Sequence, residues 1–272
     1  MEFNIDFSKL SYKEIYTYIN NIENIENVFV DSSKGSMLNM LLQDNRKTVK
    51  KLGSKICKIL EAKEREIQRV KKMYDFDRNF GNYKYVAGVD EVGRGPLAGP
   101  IVAAAVILDL KSNEHKELIL RANDSKKLSI AVRKELSFII KENALAYKII
   151  AIDNEQIDEK GIGWCNNQVF LDCCAEIDIK PDLVLSDGYK IKNFPNLNEF
   201  VIKGDTLSIS IACASIIAKV YRDELMLEYH NTYPNYGFNK NVGYGTLEHV
   251  LAIKKYGTTP IHRKSFLKNI LD

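Results

Sequence analysis

The stretch Tyr85-Val-Ala-Gly-Val-Asp-Glu-Val-Gly-Arg-Gly-Pro-Leu-Ala-Gly-Pro100 decides how the chain is read. An apolar run from Tyr85 to Val89 ends in two adjacent carboxylates, Asp90 and Glu91. A glycine-rich turn with one arginine follows, and a second apolar run, Ile101-Val-Ala-Ala-Ala-Val-Ile-Leu108, begins at once. Two strands joined by that turn hold paired acids and a cation at the edge of a sheet. For an Asp-Glu pair the ordinary explanation is a hairpin with a charged tip. Here the acids belong to the apolar pattern and not to a solvated helix face. Folding alone does not ask for that, so function is the better reason.

The rest of the composition sets bounds. A chain of 272 residues can bury a substantial core as one large domain or a domain with an appendage. With 45% hydrophobic and 28% charged residues it reads as an ordinary soluble protein. No apolar run approaches a membrane span, no charged-then-apolar leader opens the chain, and the expected location is the cytoplasm. Cys57, Cys165, Cys173, Cys174 and Cys213 are odd in number and lack zinc-type spacing, which fits reduced, mostly buried thiols. The net charge of +3 is unevenly spread: Asn45 to Tyr74 carries eleven Lys/Arg against three Glu. Such a stripe serves either as a solvated helix face or as a partner for nucleic-acid phosphates.

Helical periodicity marks Tyr12 to Ile22, and two or three helices between Ser36 and Tyr74, separated by the polar loop Asp31–Gly35. Residues 1–81 are thus expected to form a basic helical extension, ending at a turn-like junction, Asp75–Gly81. The main domain, residues 82–272, offers strands at Tyr85–Asp90, Ile101–Leu108, Ala144–Ile152, Leu183–Ser186 and Phe200–Ile202. Helices are expected from Ser129 to about Asn143, across Asn154–Asp178, and from Ser208 to Tyr229. Strands that first run together and then alternate with helices predict an α/β fold with a five-stranded mixed sheet.

Three strands end in acids: at Asp90-Glu91, at Asp187, and at Lys203-Gly-Asp205. Sites in open α/β sheets lie beyond strand ends. Four converging carboxylates repel and raise one another's pKa unless a cation intervenes, and hard divalent cations prefer oxygen ligands. The pattern predicts one or two Mg²⁺ or Mn²⁺ ions. Two ions about 3.5–4 Å apart activate an attacking water and stabilise the leaving oxygen in phosphodiester cleavage. One difficulty is geometric, because successive strand residues face opposite ways. Irregular backbone is therefore expected near Glu91, with Gly93 and Gly95 permitting it.

Taken together, Gly88–Pro100, Asp124-Ser-Lys-Lys-Leu128, Lys203-Gly-Asp205, Ala214–Asp223, Tyr236-Gly-Phe238, Gly243-Tyr-Gly-Thr246 and His262-Arg263 resemble bacterial ribonuclease HII, in that family's order. The resemblance covers roughly Tyr85 to Phe266, and more weakly the N-terminal region. It implies a ribonuclease H-like fold and a metal-dependent endonuclease, acting as a monomer on RNA–DNA hybrids and on DNA containing ribonucleotides. Products with 5′-phosphate and 3′-hydroxyl ends follow. The family's catalytic and metal-binding acids map onto Asp90, Glu91, Asp187 and Asp205. Gly93, Arg94 and Gly95 would read the 2′-hydroxyl, the group that distinguishes RNA from DNA. Tyr244 would stack on the neighbouring deoxyribose, and Lys126 would contact a phosphate.

Some residues stand apart from the resemblance. Trp164 is expected in the core, Cys213 as a small buried residue, Tyr233 and Tyr236 in packing, and Asp223 in a supporting role. His262 reads as a structural or phosphate contact and not as a catalytic base. Rival readings are ribonuclease HIII, which lacks the Gly-Arg-Gly reader, a junction-resolving or transposase-like nuclease on the same fold, and a non-catalytic hybrid binder. Arg94 and Tyr244 argue against the second, and four intact acids argue against the third.

Overall fold

The computed structural model describes residues 7–21, 35–111 and 118–271, so most of the Asp31–Gly35 loop lies outside the described residues. Two compact units emerge, Met1–Gln68 and Arg69–Asp272. Among the described residues no helix is long and apolar enough to cross a membrane.

In the first unit, α1 (Tyr12–Asn20) opens with a capping box. Ser11 Oγ accepts from Glu14 N–H, and Glu14 returns a carboxylate to Ser11 N–H at 2.8 Å. Helix α2 (Gly35–Gln43) and the start of α3 (Lys47–Arg78) complete a small core of Ile15, Ile19, Met37, Leu41, Val49, Leu52 and Ile56. Opposite that buried stripe, Lys47, Lys50, Lys51, Lys55 and Lys58 are exposed on one face of α3. The expected turn at Asp75–Gly81 is wrong in its first half, because α3 continues to Arg78. The cause is local: Arg78 pairs with Asp75 one turn back, and Asp77 is fully buried, its carboxylate accepting Ser210 N–H at 2.9 Å.

The second unit is built on a five-stranded sheet in the order β3-β2-β1-β4-β5. Strand β1 (Val86–Val92) pairs antiparallel with β2 (Ile101–Ile107), which pairs antiparallel with β3 (Ala146–Ile152). On its other side β1 runs parallel to β4 (Leu183–Asp187), and β4 parallel to β5 (Leu197–Val201). The mixed sheet expected from the sequence is present. All of β2 is buried, which explains its unbroken apolar run, since a strand covered on both faces has no reason to alternate. Between strands lie α4 (Ile130–Asn143), α5 (Asn154–Lys160) and α6 (Ile162–Glu176), and the short α7 (Gly204–Leu207) follows β5. The chain ends through α8 (Ile209–Thr232), α9 (Phe238–Asn241), α10 (Leu247–Tyr256) and α11 (Lys268–Leu271).

Alternation along β1 divides the core. Ala87 and Val89 face α6, among Cys165, Val169, Phe170 and Cys173. Val86 faces the other way, clustered with Leu183, Leu185 and Ile211 of α8. Gly88 shares the α8 face, where a Cβ would lie 2.1 Å from the Ser210 carbonyl carbon. The helix rests on bare backbone there, and only glycine fits. Trp164 corrects another expectation: it is 46% exposed, because the buried stripe of α6 runs through Cys165, Val169 and Cys173 and leaves residue 164 outside it.

Candidate active site

The ladder of β1 stays regular through both acids, with Asp90 opposite Ala104, Glu91 opposite Ala103 and Val92 opposite Val102. The end or distortion expected near Glu91 takes the form of an end, with Glu91 itself undistorted. The break comes two residues later, at Gly93, whose φ of +100° suits glycine. Asp90 and Glu91 therefore leave the strand on opposite sides, which sorts the acids into a group of three and one apart.

The group of three lies toward α8. Asp90 and Asp187 occupy equivalent positions on neighbouring parallel strands, as the pairing of Val89 with Ser186 requires. Asp205 stands in the first turn of α7. The link between them is a tight turn: Lys203 adopts a left-handed conformation, and Gly204 N–H donates to Asp187 Oδ1 at 2.7 Å. A Cβ on Gly204 would lie 2.6 Å from Ile211 Cδ1, so glycine allows this approach. Asp90 is buried, accepts Glu91 N–H at 2.8 Å and is hydrogen-bonded by Ser215 of α8. Ser215 is tied in turn to Ser125 at 3.0 Å.

Glu91 emerges on the α6 side. Tyr189 O–H donates to its Oε2 at 3.1 Å, and Arg94 Nη1 stands 3.8 Å from Oε1. The Arg94 guanidinium also lies 5.5 Å from the centre of the Tyr189 ring. These partners hold the Glu91 carboxylate on the α6 side of the strand, although its charge still reaches Asp90. Among the described residues, no three acidic, histidine or cysteine side chains stand close enough to hold one ion as placed.

Electrostatically the four still form one system. Burial pushes the Asp90 carboxyl well above the usual range, and Glu91 and Asp187 push it further. Burial also raises Glu91, against the pull of Tyr189 and Arg94. Asp187 is raised by burial, then eased by the Gly204 N–H and Lys126. Asp205 is raised by burial, Asp187 and Asp124. Four partly buried oxygen donors that resist ionising together make a donor set suited to a hard divalent cation. A fifth acid belongs to the neighbourhood. Asp124 caps the turn Ser125–Lys127, accepting Lys126 N–H at 2.9 Å, and its charge reaches both Asp187 and Asp205. Sequence reasoning took Asp124 only as part of a polar loop. It also missed Tyr189, for which the two-residue spacing from Asp187 was the available signal.

Beside the acids, exposed Lys126 lies near Asp187 and Asp205. On the other flank Arg94 projects with its side chain 54% exposed. Tyr244 is 43% exposed, and a Cβ on Gly95 would lie 3.8 Å from Tyr244 Cε1. The Gly93–Gly95 turn and Tyr244 are thus neighbours, although 149 positions separate Gly95 from Tyr244 in the chain. Asp223 stays outside this group, paired with Lys219 at 2.6 Å and Arg133 at 3.6 Å. His262 is 1% exposed and Tyr236 7%, both in packing positions. Four of the five cysteines are buried and all are free.

Comparison with known proteins identifies the family and the fold. The family model described as Ribonuclease HII matches residues 87–269, and that described as Ribonuclease HII N-terminal domain matches residues 21–81. A ribonuclease HII of Clostridium perfringens is 63% identical over 235 residues, covering 86% of each chain. One of Clostridium beijerinckii is 55% identical over 271 residues, the full length of both. Among solved structures, ribonuclease H2 from Pyrococcus horikoshii OT3 aligns with a TM-score of 0.59 and 27% identity, covering 69% of this chain and 97% of that one. A mixed sheet with acids at the ends of β1 and β4 and in the turn of α7 beyond β5, matched by that family over two thirds of the sequence, leads to one assignment: the chain belongs to the ribonuclease HII family and is a ribonuclease H endonuclease.

Proposed function

We propose that the chain cuts the RNA strand of RNA–DNA hybrids and nicks duplex DNA on the 5′ side of an embedded ribonucleotide, leaving 5′-phosphate and 3′-hydroxyl ends. The observation that carries this reading is the closeness of Tyr244 to the open side of Gly95, in the turn that follows Asp90 and Glu91. Backbone groups of Gly93, Arg94 and Gly95 can approach a ribose closely enough to hydrogen-bond its 2′-hydroxyl. The Tyr244 ring alongside offers an apolar face to the adjoining deoxyribose. A chain that only bound hybrids would gain nothing from four carboxylates beside phosphates.

Asp90, Glu91, Asp187 and Asp205 are the residues that would hold Mg²⁺ or Mn²⁺, two ions with substrate bound. Bound there, such ions would supply the positive charge that favours attack by water and departure of the 3′-oxygen. The protein's own groups do the rest. Glu91 is the adjustable member, since its hydrogen bond to Tyr189 and its weak pairing with Arg94 are each replaceable by solvent. Lys126 neutralises a backbone phosphate on one flank, and Arg94 supplies positive charge on the other. Every one of these residues comes from Arg69–Asp272, so the proposed site calls for no residue of a second copy.

The test is a DNA duplex with one ribonucleotide, incubated with the full chain in Mg²⁺ or Mn²⁺ beside a continuous hybrid. Both should be cut. Cleavage of the hybrid alone would sink the junction-reading part of the proposal and favour the behaviour expected of ribonuclease HIII.

A further inference from the structure

The turn from Gly93 to Pro100 is held by two arginines that, among the described residues, form no ion pair with a carboxylate. Arg222 and Arg263 are both fully buried. Arg222, from α8, donates to Pro100 O at 3.0 Å, Ala98 O at 3.2 Å and Val242 O at 2.9 Å. Arg263 donates to Gly99 O at 2.9 Å, Arg94 O at 3.0 Å and Gly93 O at 2.7 Å. Hydrogen bonds to charged donors are the strong ones; five of these fix one loop, and the sixth ties it to Val242 beside Gly243 and Tyr244. With the carbonyls of Gly93 and Arg94 committed inward, the outer side of the turn is left for a ligand.

The same C-terminal segment reaches Tyr244 by a second route, and the hydrogen bonds dictate its proton positions. Thr259 N–H donates to His262 Nδ1 at 2.9 Å, so the His262 proton sits on Nε2. That N–H meets His249 Nε2 at 3.1 Å, which leaves the His249 proton on Nδ1. His249 Nδ1–H then donates to the Tyr244 carbonyl at 2.9 Å. The pair lies in an aromatic box, with Tyr236 5.2 Å from His262 and Phe238 5.2 Å from His249. Backbone bonds tie the loops directly as well: Leu97 N–H to Gly243 O at 2.8 Å, Arg263 N–H to Leu97 O at 2.8 Å, and Gly99 N–H to Ile261 O at 2.9 Å.

We propose that Arg263 and the His249–His262 pair are positioning residues that lock the Gly93–Gly95 turn and Tyr244 in one register. The strictness with which an RNA–DNA junction is distinguished from continuous RNA depends on that lock. None of the three side chains needs to touch substrate. Arg263 sets the turn, the histidines set the tyrosine, and the one-residue step from 262 to 263 couples them. This inference rests on the junction-reading role proposed above.

Amide side chains separate the two histidine contacts. The amide nitrogen of Asn reaches the place of His Nδ1 and donates as it does, and the amide oxygen of Gln reaches the place of Nε2 and accepts as it does. His249→Asn keeps the bond to Tyr244 O and loses the one to His262, whereas His249→Gln does the reverse. Kinetics of the full chain would be measured on a single-ribonucleotide duplex and on a continuous hybrid, and kcat/KM expressed as a ratio between the two substrates. A ratio is insensitive to the amount of folded enzyme, so partial misfolding does not mimic the effect. The ratio should fall about fivefold or more in H249Q and in Arg263→Lys, as expected for loss of a single positioning hydrogen bond. H249N should keep it. Equal ratios in H249Q and H249N, or a ratio unchanged in all three variants, would overturn the positioning role. A wild-type chain that fails to nick the single-ribonucleotide duplex would instead overturn the junction-reading role on which it rests.

Discussion

Replacing Gly88 with alanine tests how the sheet supports the site. The added Cβ would lie 2.1 Å from the Ser210 carbonyl carbon, 2.2 Å from Ile211 N and 2.5 Å from Ser210 O. All three atoms are backbone of the first turn of α8, so no side-chain rotation relieves the clash. Restoring a close contact of 3.4 Å means moving helix and strand apart by about 1.3 Å, in an interior packed at crystal-like density. Such overpacking costs about 1–3 kcal/mol. The upper end is expected, since Ser210 N–H is also pinned by buried Asp77 at 2.9 Å. A loss of about 3 kcal/mol should lower the melting temperature by about 6–12 °C in a unit of this size. Cleavage should fall too, because α8 carries Ser215 onto Asp90. Urea and thermal unfolding of both proteins would measure the loss. Gly163→Ala is the control: nothing lies within 4 Å of its Cβ, and helix propensity there favours alanine by about 0.5–1 kcal/mol. If G88A unfolds within about 0.5 kcal/mol of wild type, the tight seating of α8 on β1 is wrong.

Further expectations concern charge and the N-terminal unit. Asp187→Asn keeps an oxygen for Gly204 N–H but removes a buried charge facing Asp90; cleavage should drop at least about a hundredfold, while unfolding without added metal shows equal or greater stability. A marked loss of stability would make Asp187 a structural residue. Burial and the neighbouring His249 pull His262 down to about 4 from 6.5, so the neutral ring stabilises the fold above pH 6.5 and that contribution fades as pH falls toward about 4. It amounts to at most about 3 kcal/mol. Because Asp77, raised to about 6 by burial, changes stability in the opposite sense, the informative quantity is the difference between wild type and His262→Gln across pH 7 to 4. Equal pH profiles would show that the pair does not titrate as described. Deleting residues 1–68 should weaken hybrid binding and flatten its salt dependence, because exposed lysines of α3 are lost. Deleting 1–80 should in addition destabilise the catalytic unit, which then lacks Tyr74 and Asp77; identical melting of the two truncations would contradict that.

Much of this architecture was legible because local chemistry and global position coincide. The buried strand β2 announces itself by seven consecutive apolar residues, and acids that close apolar runs mark strand ends. Less legible was the side on which each acid leaves. That depends on the pairing of Val89 with Ser186 and on where the ladder stops, which is Gly93 and not Glu91. Arg222 and Arg263 were hidden for a different reason. A buried arginine normally implies a carboxylate partner, and these two are satisfied by carbonyls, all but that of Val242 more than a hundred residues away in sequence. Backbone acceptors carry no residue signature, so no pattern of side chains reveals them. The histidine relay is obscure for the same reason, since it ends on the carbonyl of Tyr244. Asp75–Arg78 misled because turn-forming residues can also continue a helix when an i,i+3 pair and a buried carboxylate reward it.

The central claim is that a ribose reader made of Gly93–Gly95 and Tyr244 sits beside the acids that cut. Its most direct test maps the cut at nucleotide resolution in a duplex carrying one ribonucleotide and identifies the ends produced. The account predicts a single nick 5′ of the ribonucleotide, with a 3′-hydroxyl on the upstream DNA and a 5′-phosphate on the ribonucleotide. A cut on the 3′ side, or a 2′,3′-cyclic phosphate, would contradict it, for the 2′-hydroxyl would then be acting as nucleophile and not as the group being read.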